Sequence, residues 1–155
     1  MSERKYVVLD LFVINAITSS DLDLYLRTAA ILQLIKDKCH KIVLTPSLKK
    51  EYVARLKKLE RSMYINDRLL KCIKQLLIDS EKVSETLDIS YSIPVEIPKK
   101  DQPIIRAALA KGGNTLIITT DEKHLISNVK LFEFLKNHNI RILSLDNALA
   151  EIAKN

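Results

Sequence analysis

Four acidic side chains from four separate segments of this chain could do chemistry together. Asp10 ends the apolar run 6–9, and Asp121 directly follows the apolar run 115–120. Asp101 opens the segment that leads into that second run, and Glu51 lies in the segment that begins at Pro46. Carboxylate oxygens are the ligands that hard cations such as Mg²⁺ and Mn²⁺ prefer. If these four residues meet in the fold, they predict a divalent-metal site.

Each acidic residue also has a local interpretation. Asp101 and Asp121 fit helix caps, which Asp favours because its carboxylate accepts free backbone N–H groups. Glu51 fits a solvated acid in a first helical turn. Asp10 is harder to explain locally, because apolar residues flank it on both sides and a buried carboxylate must be paired, hydrogen-bonded or metal-bound. Capping and metal binding therefore both remain open for the set.

The elements that must position these residues follow from the hydrophobic pattern. Short β-branched runs alternate with segments whose apolar residues recur at helical spacing. The predicted strands are residues 6–10, 41–45, 115–120 and 140–144. The predicted helices run from Ser20 or Asp21 to 37, then over 46–60, 66–78, 101–113, 130–139 and 145–155, with Gly112 as the stop of the fourth. Residues 79–98 are predicted to form a loop with at most a short strand. The alternation predicts one α/β domain over 1–155, with a parallel sheet covered on both faces.

Such a sheet would gather the four acids. The carboxyl ends of parallel strands share one edge, where ligands bind, and crossover helices begin at that same edge. Asp10 and Asp121 follow predicted strands, and Asp101 begins a predicted helix. Helical side chains lean toward the helix N-terminus, so the carboxylate of Glu51 can reach back to the edge. We therefore expect all four at one edge of the sheet.

Taken in order, the motifs "VLDLFVI", "LTPSLKKEY", "KKDQPIIRAAL" and "LIITTDEKHL" resemble those of the PIN-domain ribonucleases. The resemblance covers nearly the whole chain. It implies a three-layer α/β/α sandwich with a central, mostly parallel sheet, and cleavage of RNA that depends on Mg²⁺ or Mn²⁺. It assigns the catalytic and metal-binding roles to Asp10, Glu51, Asp101 and Asp121. Many members of the family are toxins of toxin–antitoxin pairs and many are dimers, so an antitoxin-like partner and a homodimer are expected as well.

The sequence departs from the family pattern after Asp10. The family usually has a small hydroxyl residue and then Asn, whereas this chain has Leu11 and Phe12. Asn15 is a candidate substitute, with an ordinary turn residue as the alternative. Thr119 and Thr120 are candidate supporting residues that could hydrogen-bond a carboxylate or a phosphate. The departure keeps a second hypothesis open: a catalytically weak or inactive relative that binds RNA or a protein partner.

The charge of the chain favours a polyanionic partner. Lys and Arg number 25 against 19 Asp and Glu, which gives a net charge of +6 and a pI of about 9.3. Phosphate contacts from such residues would position RNA without reading its sequence. A solvated helix face is the alternative interpretation. The predicted RNA-binding residues are Lys49, Lys50, Lys99, Lys100 and Lys123.

Several function classes are disfavoured. The only glycines are Gly112 and Gly113, so neither a dinucleotide-binding loop nor a P-loop can follow a strand. Aromatic residues make up 5% of the chain and Trp is absent, which argues against a base-stacking platform. A phosphoacceptor domain would need paired acids after the first strand, which offers only Asp10. The apolar runs are too short to cross a bilayer, so we expect a cytoplasmic protein without a membrane partner.

Overall fold

The chain folds around a parallel sheet of five short strands, described by a computed structural model over residues 3–62, 65–90 and 92–154. All neighbouring strands pair in parallel, in the order β3-β2-β1-β4-β5. β-Branched and Leu residues fill the inner strands, as expected for a sheet that is buried on both faces. The strands are β1 (Tyr6–Leu9), β2 (Lys41–Leu44), β3 (Val83–Glu85), β4 (Thr115–Ile118) and β5 (Ile140–Leu143).

Helices connect and cover the strands, and the predicted three-layer α/β/α sandwich is confirmed. In the described residues none of the helices is long and apolar enough to cross a membrane. A 3₁₀ turn at Lys99–Asp101 leads into α5, and a π-helix, Glu122–Ile126, follows β4. The α-helices are α1 (Phe12–Thr18), α2 (Leu22–Asp37), α3 (Pro46–Leu59), α4 (Asp67–Ile78), α5 (Gln102–Lys111), α6 (Val129–Lys136) and α7 (Leu145–Ile152).

Polar caps set most helix boundaries. Asp21, rather than Ser20, caps α2 by accepting the N–H of Leu24. Gly112 ends α5 with a φ of 84°, in the left-handed region that glycine tolerates best. The cap predicted at Asp101 is wrong, because its side chain makes no capping hydrogen bond. The carboxylate of Asp101 is instead turned away from the helix N–H groups and buried.

The segment after β1 differs from the prediction. Helix α1 was not predicted, because apolar residues lie on almost all of its sides and no helical periodicity is visible in the sequence; it also lacks a capping side chain. The turn expected at Asn15 is therefore wrong, since that residue lies within α1. The segment 79–98 contains the three-residue β3, the short strand which the prediction allowed, while Tyr91 lies outside the described residues. The predicted end of α7 at Asn155 also lies outside them.

The order of the strands creates a crevice beside β1. The chain moves outward from β1 to β2 and β3, then returns to the other side of β1 for β4 and β5. Ligands of open α/β sheets bind at such a reversal, outside the carboxyl ends of the strands. The backbone N–H of Asp10 donates to the carbonyl of Ile118 over 3.0 Å, which ties the ends of β1 and β4 together. The fold therefore places Asp10 and the residues after β4 on the two sides of the crevice.

Candidate functional site

Hydrogen bonds hold the carboxylate of Asp10 in place at the end of β1. Its Oδ1 accepts the backbone N–H of Leu11 over 2.8 Å, and its Oδ2 accepts the hydroxyl of Thr119 over 2.6 Å. The side chain is only partly buried. Asp10 thus satisfies the requirement for a partner in an apolar setting, and one of those partners comes from the far side of the crevice.

Thr119 connects two of the acidic residues. It is fully buried, and its hydroxyl donates to Asp10 while accepting the backbone N–H of Asp121 over 3.0 Å. A hydroxyl can donate and accept at once, which neither Val nor Ile could do at this position. The neighbouring Thr120 is exposed and makes no hydrogen bond with the described residues. Of the two predicted supporting threonines, Thr119 alone contacts the acidic residues.

Asp121 combines a capping role with a place beside the crevice. Its Oδ1 accepts the N–H of His124 over 2.9 Å, at the start of the π-helix. The wider turn is defined by the bond from the N–H of Ile126 to the carbonyl of Asp121, at 3.0 Å. π-Helical turns are rare and frequent at functional sites. The capping interpretation of Asp121 is thus confirmed, and the cap lies where the cluster was expected.

Asp101 is the least satisfied of the four acids. It is 4% exposed, and its Oδ2 has no hydrogen-bond partner among the described residues. Burial raises the pKa of its carboxyl, and the negative charges of Asp10 and Asp121 raise that pKa further, against smaller opposing effects of Lys100 and His124. The charges of two acids from two other segments therefore act on Asp101, as clustering at this edge predicts.

Glu51 is not among the charges that act on Asp101, and it pairs instead with a cation on its own helix. Its side chain is 27% exposed and lies 3.7 Å from the guanidinium of Arg55, one turn along α3. The residue that follows Glu51, Tyr52, is buried in the core. Its hydroxyl donates to the carbonyl of Leu9 and, over 3.4 Å, to that of Asp10. Burial first, and then the charges of Asp10 and Glu51, raise the pKa of the Tyr52 phenol.

Tyr52 was not predicted as part of the site. Within α3 it occupies an ordinary apolar position of the helical pattern, and no sequence feature indicates that its hydroxyl reaches β1. Neither Asn15, the candidate substitute, nor Phe12, which stands at a position of the family's polar pair, plays the part of that pair. Asn15 is exposed and its side chain makes no hydrogen bond with the described residues, and Phe12 is 3% exposed in the core. The backbone N–H of Leu11 supplies the contact to Asp10 that a polar side chain would otherwise make.

The oxygen atoms of the four acidic side chains suit a hard cation, but these side chains lie too far apart to bind one together. A buried carboxylate with one oxygen that lacks a partner, acted on by two further carboxylates, is a donor set that Mg²⁺ or Mn²⁺ would neutralise. Across residues 3–62, 65–90 and 92–154, no three His, Cys, Asp or Glu side chains stand close enough to hold a metal ion. A cation bound by several of these acids would have to draw their side chains closer together.

All five lysines that were predicted to bind RNA are exposed. Lys100 is near enough to Asp101 for its charge to lower the pKa of that carboxyl. Lys49 is 3.9 Å from Glu85, which offsets part of its charge. Lys123 and His124 line a cavity of about 400 Å³ beside the π-helix. The remaining members of the set are Lys50 and Lys99.

No model of a known protein family, no curated protein and no solved structure matches this chain. The resemblance to the PIN-domain ribonucleases therefore rests on the four acidic motifs and their order.

Proposed function

We propose that this protein is a metal-dependent endoribonuclease that hydrolyses RNA phosphodiester bonds at the site formed by Asp10, Glu51, Asp101 and Asp121. The observation that carries the proposal is Asp101. Its carboxylate is buried, one oxygen has no partner, and two other carboxylates act on it. A protein gains nothing in stability from such an arrangement, so a cationic ligand is its simplest purpose.

Each residue has a role in this proposal. Asp10 and Asp121 are the direct metal ligands, while Asp101 and Glu51 bind the metal or its water molecules. Thr119 holds Asp10 in orientation and fixes the backbone of Asp121. A bound Mg²⁺ or Mn²⁺ would supply Lewis acidity, lowering the pKa of water and offsetting charge on the phosphate oxygens.

The RNA substrate is supported by charge. Five exposed lysines lie near the acids in the sequence, the charge of Lys100 acts on Asp101, and the chain carries a net charge of +6. A cationic rim around an anionic centre would hold phosphates next to the metal without reading bases. By the family resemblance, a cytoplasmic location, an antitoxin-like protein partner and a homodimer belong to the same proposal.

A second candidate is a catalytically weak or inactive protein that binds RNA or a protein partner. The burial of Phe12 favours it, since the position that is polar in the family has become part of the core here. The distance between the acidic side chains, which is too large for three of them to hold one metal ion, favours the second candidate too. The two candidates differ in whether RNA is cut.

Cleavage of a labelled single-stranded RNA in Mg²⁺ or Mn²⁺, with a chelator as blank, tests the proposal. We expect cleavage that the chelator stops, and Asp10→Asn or Asp121→Asn should each lower the rate by orders of magnitude. Asp21→Asn is the matched control, because Asp21 caps α2 through its Oδ1 as Asp121 caps the π-helix. Since Asn caps about as well as Asp, neither change should unfold the protein.

Melting curves with Mn²⁺ separate the two candidates. If the acids bind metal, a hundredfold excess over Kd should stabilise the protein by about 2.7 kcal/mol. The variants Asp10→Asn and Asp121→Asn should lose most of that gain, and Asp21→Asn should keep it. Metal binding without cleavage would favour the second candidate. A melting temperature that ignores Mn²⁺, together with undiminished cleavage by both variants, would overturn the assignment of the site.

A further inference from the structure

A small cavity lies at the opposite end of the sheet from the acidic residues. It has a volume of about 200 Å³, and its lining includes Lys5, Asn114, Lys136, Asn139 and Arg141. The strand register explains why these residues meet. Tyr6 pairs with Thr115, and Thr115 pairs with Ile140. Lys5, Asn114 and Asn139 are therefore the residues directly before three adjacent strands that begin in line.

The cavity carries more positive charge than its neighbours neutralise. One well-buried carboxylate, that of Glu151, is shared by three cations: Arg141 at 2.7 Å, Lys154 at 3.0 Å and Lys5 at 3.4 Å. The side chain of Lys5 is 14% exposed and also contacts the exposed carboxylate of Glu3, at 3.2 Å. Lys136 makes no ion pair with any residue of the described chain. The planar group of Arg141 retains donors beyond the one used by Glu151.

Two strained turns form the mouth of this cavity. Asn114 and Asn139 have φ values of 63° and 58°, in the left-handed region that costs energy for residues other than glycine. The N–H of Asn114 donates to the carbonyl of Asn139 over 3.1 Å, so the turns hold each other in place. Neither side-chain amide makes a hydrogen bond within the described residues. Two amide groups are thus held beside three cations with their hydrogen-bonding capacity unused.

We propose that this cavity binds a phosphate monoester, with Arg141 and Lys136 contacting the phosphate oxygens and Lys5 supplying buried positive charge. Arg favours phosphate because its planar donors match two oxygens at once. The volume is below the range of about 300–1,000 Å³ that is usual for drug-sized ligands, and it suits a phosphate group with part of a sugar. The site is independent of the proposed ribonuclease function, since it lies at the other ends of the same strands.

Titration at low salt, followed by the backbone amide NMR signals, tests this site. The probes are inorganic phosphate, adenosine 5′-monophosphate and, as the uncharged comparison, adenosine. We expect both phosphates to shift the signals of Asn114 and Asn139 saturably, and adenosine to leave them unchanged. Lys136→Gln should weaken phosphate binding about tenfold, as expected for one charge-assisted contact. Lys130→Gln is the matched control, because Lys130 is exposed on the same helix and does not line the cavity.

The comparison of probes identifies the source of the phosphate. Equal affinities for inorganic phosphate and the nucleotide indicate recognition of the phosphate alone, and tighter binding of the nucleotide indicates contacts to its sugar as well. An RNA oligomer that binds only when it carries a 5′-phosphate would show that the site accepts a chain end. The proposal is overturned if adenosine shifts the same signals, if the shifts lie elsewhere, or if Lys130→Gln weakens binding as much as Lys136→Gln.

Discussion

The two edges of the sheet treat a buried carboxylate in opposite ways. At the amino edge, where the strands begin, the side chain of Glu151 is 13% exposed. It accepts hydrogen bonds from Arg141 and Lys154, which lower its pKa to about 2. At the carboxyl edge, Asp101 is 4% exposed, one of its oxygens has no partner, and burial together with Asp10 and Asp121 raises its pKa. At Glu151 the hydrogen bonds of two cations outweigh the effect of burial, whereas at Asp101 burial is the largest cause and the neighbouring carboxylates add to it.

The contacts of Glu151 serve the stability of the fold, whereas the surroundings of Asp101 serve the proposed function. The Glu151 contacts are satisfied and join β5, α7 and the start of β1, so they contribute to holding the sandwich together. The Asp101 surroundings are unsatisfied and are held in place by the apolar packing beneath them. A change at the amino edge should therefore weaken the protein, whereas removing a charge at the carboxyl edge should strengthen it.

The largest expected effect comes from disrupting the packing beneath the carboxyl edge. Phe12 follows the β1 end of the site and is buried in the core. Combining Leu11→Thr with Phe12→Asn, which restores the family's polar pair, should cost about 3 kcal/mol or more in stability, as large core truncations do. Urea unfolding measures this cost, and Leu11→Thr alone should show only a minor part of it. A double variant as stable as the parent protein would contradict the packing role of Phe12.

Removing the satisfied carboxylate should give an intermediate effect. Glu151→Gln should lower the free energy of unfolding by about 2 kcal/mol at pH 7, less than the full pKa shift implies because two of its partners are exposed. The folded-state pKa of Glu151 lies below its ordinary 4.5, so its stabilisation is present above pH 4.5 and is lost as the pH falls toward 2. The difference between variant and parent should shrink over that range. Glu133→Gln, an exposed change on α6, should be neutral at every pH.

The smallest effect, of opposite sign, is expected at Asp101. Asp101→Asn should raise the free energy of unfolding at pH 7 without metal, on the order of 1 kcal/mol, because it removes a repelled charge from a buried place. The folded-state pKa of Asp101 lies above its ordinary 3.8, so the parent loses stability as the pH rises from about 4 through that raised pKa. The advantage of the variant should therefore vanish below pH 4. Equal stability at all pH values would mean that the carboxylates do not interact.

The sequence predicted those parts of this molecule that depend on local patterns. β-Branched runs located β1, β2, β4 and β5, and residue type narrowed the cap of α2 to Ser20 or Asp21. The short β3 carries no apolar run, and α1 has no polar face. Neither segment therefore shows a recognisable repeat of apolar residues in the sequence.

For the site, the sequence predicted only that residues which follow parallel strands lie at one edge of the sheet. The order of the strands determines which acids face each other, so the orphaned oxygen of Asp101 could not be predicted. The same holds for the bond from Thr119 to Asp10, whose partners are far apart in the chain. Glu151 was not recognised for the same reason, since its cations come from three different segments.

The hydroxyl of Tyr52 links the helix that carries Glu51 to the strand end that precedes Asp10. It fastens α3 to the backbone at the end of β1, and Glu51 is the preceding residue of the same helix. A shift of α3 along the sheet would therefore carry Glu51 and strain the Tyr52 bond, while Asp10 stays tied to β4 through Ile118 and Thr119. The placement of Glu51 thus depends on where α3 packs, whereas the spacing of Asp10 and Asp121 is set by the sheet.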